Sequence, residues 1–495
     1  MSKTVVVNQY HGGLAQDDRE RSSITFSESK NFDTISSQYT ITPYPETEAE
    51  SRTTGDITDN LITDIARDTN GYIYALGRTS SGTPTGNTFL IKSSGTNIAS
   101  TYDVHANSGA GNAYRPNSLV QHYNGFYFID SNHALKKLTF PTTFSTEGTI
   151  DMTTSWTGEL IPRPFVHPLK KYLYAAVGQY FARVTETGTY ADLTSLVLPA
   201  SLYCSSLTDY NSYLAIAAAP SFTGGRSNVF LWDMSEDRTF NESIDWGEGS
   251  LMILENIGGT LVGVSISDAN YTSVSTYTTS SRKKLTIRVL SGNQSVIIRE
   301  YDVASNFSLK NFKATVNGRL YFGGDNDDSL YVIYKDQSGN LIVSRDRYMA
   351  NGTVVTNLRG FNIIGDYLFI GYDTASTTGN FYRTKITPSY SFSSKLTTLI
   401  NPNMELGDRT KKKKLKAVSV SKASTTGTMT LQYSVDGSAF TSIGTSIGGL
   451  VNKMTNDYLG IPFEDGYEYQ FRIVSDGGAE PTELKYSYET YEELI

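Results

Sequence analysis

Residues with the types and spacing needed for metal binding or nucleophilic catalysis are scarce in this sequence. The chain has five histidines, and none stands at the His-x3-His or His-Glu-x-x-His spacing that places two ligands on one zinc ion. The one cysteine, Cys204, has no basic residue beside it to favour the thiolate, so we expect a buried, unreactive thiol. We therefore predict no metal site, no cofactor and no catalytic nucleophile.

Carboxylates offer a second kind of chemistry. The densest acidic group, Asp325, Asp327 and Asp328, lacks the alternating spacing and closing Glu of a calcium-binding helix-loop-helix, so a polar turn is the better interpretation. A glycosidase would need two carboxylates facing one cleft. Candidates supported only by their abundance are Asp233, Asp237, Glu242, Asp245, Glu248 and Asp366. Because the sialidase box Ser-x-Asp-x-Gly-x-Thr-Trp is also missing, we predict that the protein is not an enzyme.

One strongly basic run stands out, and it is formed by Lys411, Lys412, Lys413 and Lys414, with Arg409 and Lys416 beside it. Such a run can dock on an acidic partner surface, and a solvated linker explains it equally well. Single-stranded nucleic-acid sites interleave basic residues with aromatic ones, which this run lacks. We interpret it as a candidate protein contact.

Seven stretches of the chain repeat one pattern, in which a polar turn precedes alternating aromatic and aliphatic residues. They are DTNGYIYALG, QHYNGFYFID, PLKKYLYAAVG, TDYNSYLAIA, ENIGGTLVGV, TVNGRLYFGG and NIIGDYLFIG. Their turn residues, Gly71, Gly125, Lys171, Ser212, Gly259, Gly318 and Gly365, recur at a mean spacing of 49 residues. The period of two within each stretch predicts strands rather than helices. Repeats of about 40–50 residues built from short strands are typical of β-propellers.

Each repeat continues into a second hairpin with a polar tip, as in SLYVIYKDQSGNLIVSRD at 329–346. Because two hairpins make one four-stranded blade, the sequence predicts an all-β fold with a seven-bladed β-propeller. A large β-sandwich or several Greek-key modules are the alternatives. The ring must close to protect its edges, and a strand from 24–26 or 37–42 is a candidate partner for the last blade.

The C-terminal part of the chain has a different pattern. In TMTLQYSV at 428–435, apolar and polar residues alternate as they do in a sandwich strand, and Asp436–Gly437 is a strong hairpin turn. We therefore predict a small β-sandwich at 401–495, the propeller at 46–400, and an N-terminal arm or ring-closing segment at 1–45.

Composition and charge narrow the range of partners. The 495 residues include 42 Lys and Arg and 50 Asp and Glu, and the net charge of −8 repels phosphate, so we predict no nucleic-acid partner. No apolar window approaches the ~18 residues of a membrane span, and the N-terminal apolar run is too short for a secretory signal. We predict no membrane insertion.

One cysteine allows no intramolecular disulfide, which favours synthesis in a reducing compartment.

The two ends of the chain are the most distinctive. The segment NQYHGGLAQDDRERSSITFSESKNFDT contains Gly12, Gly13, Arg19, Arg21 and Phe26, the last followed by Phe32–Asp33. Near the other end, a charged stretch ahead of Leu-Lys-x-Val leads to Leu-x-Tyr-x-Val-Asp-Gly at 431–437. In these features, and in the style of the repeats between them, the chain resembles a group of tailed-bacteriophage virion proteins.

The resemblance implies a virion structural protein of the tail or the head-to-tail region that acts as a rigid assembly module. It implies other virion proteins as partners, a homo-oligomer in a symmetric assembly, and a place in the virion after synthesis in the host bacterial cytoplasm. Candidate assembly contacts are Gly12, Gly13, Arg19, Arg21, Phe26, Lys411, Lys412, Lys413 and Lys414. For the segment from Gly12 to Arg21, a frayed terminus is the alternative.

Two other functions fit the same pattern. A receptor-binding tail component would recognise a host-surface glycan or protein, and an aromatic-lined concave face would favour it. A propeller glycosidase or lyase acting on host polysaccharide is the lesser alternative, and it would depend on a central carboxylate.

Overall fold

The computed structural model describes many separate stretches of the chain, with gaps between them. They are residues 2–7, 28–30, 32–33, 42–43, 48–49, 60–68, 70–79, 87–93, 102–110, 119–129, 133–139, 143–150, 161–220, 225–268, 283–336, 338–349, 354–373, 379–386, 397–400, 411–422, 427–448, 465–476 and 479–491. Every extended regular element within them is a β-strand. This confirms the predicted all-β class.

The chain divides into two compact units. One comprises residues 48–327 and 354–383, and the other comprises residues 1–47, 328–353 and 384–495. Five short strands precede the repeats, and they are β1 (Ser2–Val7), β2 (Glu28–Lys30), β3 (Phe32–Asp33), β4 (Thr42–Pro43) and β5 (Glu48–Ala49).

Seven four-stranded sheets follow, numbered here as blades 1 to 7. Blade 1 has β6 (Asn60–Arg67), β7 (Ile73–Thr79), β8 (Asn87–Ser93) and β9 (Tyr102–Ala110); blade 2 has β10 (Val120–His122), β11 (Gly125–Ile129), β12 (Ala134–Thr139) and β13 (Thr143–Thr149); blade 3 has β14 (Phe165–Val166), β15 (Leu173–Val177), β16 (Tyr180–Val184) and β17 (Tyr190–Val197). Blade 4 has β18 (Leu202–Tyr210), β19 (Tyr213–Pro220), β20 (Arg226–Trp232) and β21 (Glu242–Glu248); blade 5 has β22 (Ser250–Ile257), β23 (Thr260–Asp268), β24 (Lys283–Ser291) and β25 (Gln294–Val303). Blade 6 has β26 (Ser308–Val316), β27 (Arg319–Asp325), β28 (Ser329–Lys335) and β29 (Leu341–Tyr348); blade 7 has β30 (Asn357–Ile364), β31 (Tyr367–Asp373) and β32 (Gly379–Lys385), with β5 as its fourth strand.

The first strands of the blades, called the inner strands below, contact one another. Strand β18 contacts β22, β22 contacts β26, and β26 contacts β30. Strand β30 of the last blade also contacts β6 of the first, so the series closes on itself. This arrangement confirms the seven-bladed β-propeller.

The repeated turns join the first and second strands of the blades. Several are two-residue turns in which both residues have positive φ, as type I′ hairpins require. Asn317 and Gly318 have φ values of 49° and 72°, and Asn211 and Ser212 have values of 46° and 73°. Gly125 is different, because it begins β11, and a Cβ at this position would collide with the carbonyl of Leu138.

The last blade is completed from the N-terminal side of the repeats. Tyr382 and Arg383 of β32 pair with Ala49 and Glu48 of β5. The closing strand therefore lies at 48–49 and not in the segment 37–42, whose one described residue, Thr42, pairs with Asp33. The other proposed segment, 24–26, lies outside the described residues.

Apolar side chains fill the space between adjacent blades. Tyr174 of blade 3 and Trp232 of blade 4 meet edge to face, with ring centroids 5.7 Å apart. Tyr74 of blade 1 and Phe126 of blade 2 meet in the same way at 5.0 Å. Each such pair is worth about 0.5–1.5 kcal/mol beyond the burial of its area.

The second unit contains the predicted β-sandwich, built from β33 (Thr397–Ile400), β34 (Lys412–Lys422), β35 (Thr428–Val435), β36 (Thr441–Gly448), β37 (Tyr469–Asp476) and β38 (Pro481–Tyr491). One sheet has the order β1-β38-β34, and the other has the order β2-β33-β37-β35-β36. Phe471 and Tyr486 stack between the sheets at 5.0 Å. Strands β1 and β2 come from residues that the sequence assigned to a separate arm, and β1 covers an edge that β38 would otherwise expose.

Candidate functional site

Five inner strands carry a β-bulge. The register of pairing with the second strand shifts between Ile62 and Asp64, Cys204 and Ser206, Leu251 and Ile253, Leu309 and Lys313, and Leu358 and Gly360. A bulge inserts an extra residue and redirects the side chains that follow it. Polar residues in and beside these strands make three sets of contacts between blades. We call them together the inner network, defined as Asp64, Arg163, Glu255, Asn311, Lys313 and Asn362.

Asp64 is the most buried charged group of the inner network. One carboxylate oxygen accepts hydrogen bonds from the Leu119 amide at 2.7 Å and from Arg163 at 2.9 Å. The other oxygen accepts a hydrogen bond from the amide of Ile65 at 2.8 Å. Burial raises the pKa of Asp64 to about 6, and the charge of Arg163 partly opposes that shift.

Arg163 connects three blades. It lies just ahead of the first strand of blade 3, and its guanidinium reaches Asp64 of blade 1 and the side-chain oxygen of Asn362 of blade 7, the latter at 3.1 Å. Asn362 in turn donates to the carbonyl of Ile65 at 2.6 Å. The planar, five-donor guanidinium suits this bridging role.

Asn311 makes a second connection between blades that are not neighbours. Its side-chain amide donates to the carbonyl of Ile161 at 3.0 Å, ahead of blade 3, and to that of Ser205 in blade 4 at 3.3 Å. Asn311 itself belongs to blade 6 and is buried. The amide therefore ties blade 6 to blades 3 and 4.

Two further carboxylates near the inner strands are also paired with cations. Lys313 lies 2.6 Å from Glu255 and donates to the carbonyl of Leu207 at 2.8 Å. Lys310 lies 2.8 Å from Asp325, which also accepts a hydrogen bond from the Leu358 amide. Asp325 belongs to the acidic group noted in the sequence, and its carboxylate is thus held by protein donors.

The inner network joins blades through hydrogen bonds and ion pairs. Each carboxylate of the inner network is paired with a cation, whereas a glycosidase needs one carboxylate to protonate a leaving group and another to attack or activate water. The raised pKa of Asp64, about 6, would suit a general acid, but the carboxylate oxygens already accept three hydrogen bonds. Among the described inner strands, the chemistry supports the joining of blades rather than proton transfer.

The predicted basic run begins a strand. Lys412 opens β34, and Lys413 is fully buried, with its ammonium donating to the carbonyl of Tyr467 at 2.9 Å. The hydroxyl of Tyr469 donates to the backbone carbonyl of Lys413. Lys414 is exposed. A solvated linker does not describe these residues, because strand pairing alternates their side chains between the core and the surface.

Gly12, Gly13, Arg19, Arg21 and Phe26 lie outside the described residues, so their role as assembly contacts stays a prediction. The surface carboxylates proposed by abundance do not belong to the inner network. Asp233 accepts a hydrogen bond from the amide of Ser235 within a turn, and Asp366 is exposed beside Gly365 in the turn between β30 and β31. Asp245 and Glu248 lie on β21, the outer strand of blade 4.

Cys204 and His122 contact only protein groups of their own surroundings. Cys204 is buried, and its burial raises the pKa of the thiol. A ring nitrogen of His122 lies 2.8 Å from the carbonyl of Thr185, which joins turns of blades 2 and 3. In the described residues, no group of His, Cys, Asp and Glu has the geometry of a metal site. The described part of the chain also contains no helix long and apolar enough to cross a membrane.

Sequence reasoning missed the inner network. A usable signal was present, because Asp64, Lys313 and Asn362 are polar residues that interrupt apolar strands just before a repeat turn. Arg163 carried no such signal, since it stands in the polar and Pro-containing stretch before blade 3. Its partners belong to blades 1 and 7, and only the closed ring brings them together.

No protein-family model matches the sequence, and no curated protein matches it. Solved structures with a similar fold include BamB from Moraxella catarrhalis, which is 14% identical with a TM-score of 0.40 over 65% of this chain and 85% of that chain. Kuenenia stuttgartiensis hydrazine synthase is 9% identical with a TM-score of 0.44, over 66% of this chain and 96% of that chain. Penicillium chrysogenum α-L-arabinanase is 10% identical with a TM-score of 0.37, over 72% and 99%. Similarity at this level concerns the fold and carries no argument about activity.

Proposed function

We propose that this protein is a bacteriophage virion structural protein of the tail or head-to-tail region, and that its propeller is a rigid interaction module rather than an enzyme. The observation that carries the proposal is the inner network. It joins non-neighbouring blades through buried and half-buried groups, and it pairs each of its carboxylates with a cation. The resemblance of both chain ends to tailed-phage virion proteins supports the proposed location.

Rigidity is useful for assembly. Association costs free energy whenever loops or side chains must become ordered, and a module that is already fixed keeps more of its contact energy as affinity. Copies of such a module assemble in a symmetric ring or trimer when one surface of each copy binds a different, complementary surface of the next copy and the rotation closes. Other virion proteins are the proposed partners, and the virion is the proposed location.

The buried state of Lys413 sharpens the proposed contact surface. Of the basic run, Lys414 is exposed, and Lys412 is half-buried with its ammonium 5.9 Å from the centre of the Tyr467 ring. A partner with an acidic surface would meet Lys414 and Lys412, whereas Lys413 would hold the strand in place.

Immunogold electron microscopy of purified particles, with an antibody against residues 401–495, tests the proposal. Gold on the tail or neck is the expected result. Particles that carry no gold, while the same antibody binds the purified protein, would contradict a virion location.

The role of the N-terminal segment needs a finer variant than a deletion. Removing residues 1–22 would also remove β1, which pairs with β38 from Ser2 to Val7. Replacing Arg19 and Arg21 with Ala leaves β1 intact. If particles incorporate this variant at normal occupancy, these arginines are not assembly contacts.

A further inference from the structure

A polar groove of about 490 Å³ lies between the outer strands of blades 4 and 5. Its lining combines two guanidinium groups, two carboxylates and two side-chain amides, contributed by Arg226, Arg288, Asp245, Glu248, Asn293 and Gln294. All six belong to β20, β21, β24, β25 or the tip between the last two. The groove shares no residue with the inner network or with the basic run.

The two blades are fixed to each other at this groove. The hydroxyl of Ser295, in blade 5, donates to the carbonyls of Asp245 at 3.2 Å and Trp246 at 3.0 Å, both in blade 4. The Trp246 side chain is buried beneath the strand. The groove is therefore preformed by strands, so ligand binding would cost little free energy for ordering the groove wall.

Gly247 makes room for one of the guanidinium groups. Its φ is 101°, and a Cβ at this position would lie 2.7 Å from the central carbon of the Arg288 guanidinium. The Nε of Arg288 is buried and has no hydrogen-bond partner. A glycine here keeps the arginine in the groove wall.

Charge in the groove is balanced. Arg226 and Asp245 form an ion pair at 2.6 Å with both side chains more than half exposed, and their hydrogen bond lowers the pKa of Asp245. Arg288 and Glu248 add one charge of each sign. An anion would meet two carboxylates and a cation would meet two guanidinium groups, so neither gains a net field.

We propose that this groove binds a neutral saccharide through its hydroxyl groups. Sugar hydroxyls both donate and accept hydrogen bonds, which matches this wall, because carboxylates accept, guanidinium groups donate and amides do both. Charged partners also make the stronger hydrogen bonds to neutral hydroxyls. The exposed side chains of Asn293 and Gln294, at the open hairpin tip, contact the ligand first.

The test uses the full chain and a panel of neutral oligosaccharides of glucose, mannose, galactose and N-acetylglucosamine, with polygalacturonate and chitosan oligomers as charged comparators. Binding is measured by saturation-transfer NMR and titration. The variant Asn293→Ala with Gln294→Ala changes two exposed side chains at the tip and the start of β25, and it removes no backbone pairing of the strands. The matched control is Glu186→Ala with Thr187→Ala, at the equivalent hairpin tip of blade 3, between β16 and β17.

We expect at least one neutral oligosaccharide to bind, and the tip variant to weaken it about tenfold, because each lost hydrogen bond costs about 0.5–1.5 kcal/mol. The control should bind as the unchanged protein does. The affinity should change less than about twofold between low and high salt, since a neutral ligand is not screened.

Three results would overturn the proposal: no neutral oligosaccharide binds, binding survives in the tip variant, or only the charged comparators bind with steep salt dependence. The saccharide proposal does not depend on the virion proposal. Failure to bind a saccharide would therefore leave the immunogold result unaffected.

Discussion

In the sandwich, most of the described buried side chains are apolar or aromatic, and Phe471 stacks on Tyr486. In the propeller, the inner strands meet through ion pairs and amide hydrogen bonds, even though the spaces between the blades are apolar. Apolar contact is largely non-directional, whereas a guanidinium or an amide requires a particular partner in a particular place.

The difference between the sandwich and the propeller follows from the sequences of these two regions. The sandwich has strands of unequal pattern and long ladders, such as the pairing of β34 with β38, which fix its register. The propeller has seven similar repeats, so apolar contacts alone would not distinguish the correct neighbour of a blade from another blade. We interpret Arg163 and Asn311 as the groups that specify which blades meet, since each reaches blades that are not its neighbours in sequence.

The largest effect is expected in the sandwich core. Replacing Phe471 with Ala should lower the free energy of unfolding by about 3–5 kcal/mol, because it leaves a cavity between the sheets. Hydrogen exchange in the peptides 428–435 and 469–476 measures this locally, with Phe471→Leu as the milder control. Unchanged protection in the Ala variant would contradict an apolar core at this position.

An effect of similar size is expected at the centre of the propeller. Asp64→Ala leaves Arg163 without its carboxylate and should cost about 3–5 kcal/mol. The double variant Asp64→Leu with Arg163→Met should recover much of the loss, because it removes both charges. Trp232 and Trp246 are buried in blade 4, so their fluorescence follows propeller unfolding. A double variant no more stable than Asp64→Ala would argue against the ion pair as the cause.

The stability of the propeller should depend on pH through Asp64. The pKa of Asp64 is raised by burial from an ordinary value of 3.8 to about 6, so its protonated form stabilises the fold below pH 4. That contribution, about 3 kcal/mol, is lost as the pH rises through 6. Comparison of the unchanged protein with Asp64→Asn between pH 4 and pH 7 isolates it. An unfolding difference that stays constant with pH would show that Asp64 does not titrate there.

A smaller contrast is expected within the basic run. Lys413→Ala should cost about 1–3 kcal/mol, since it removes a buried donor to the Tyr467 carbonyl. Lys414→Ala should change the stability by no more than about 0.5 kcal/mol, because its side chain is exposed. Hydrogen exchange at 412–422 distinguishes the two. Equal effects would mean that the side chains do not alternate between core and surface.

The repeats were readable because strands leave a period-two pattern and tight turns leave glycine and asparagine, as at Asn317–Gly318. Two repeats used Lys171 and Ser212 with positive φ instead, and the regular spacing still identified them. The inner network was not predictable in the same way. Asn311 looks like an ordinary strand residue until Ile161 and Ser205 are brought to it by the fold.

The strands, the seven repeats and the sandwich could be predicted from the sequence, because each depends on patterns within a few residues or on regular spacing. Other features depend on the folded arrangement. In the folded protein, β5 is the closing strand and β1 pairs with β38. Lys413 is buried while Lys414 is exposed, and Arg163 of blade 3 pairs with Asp64 of blade 1. Each of these depends on contacts between residues far apart in the chain, and such contacts leave no local pattern to read.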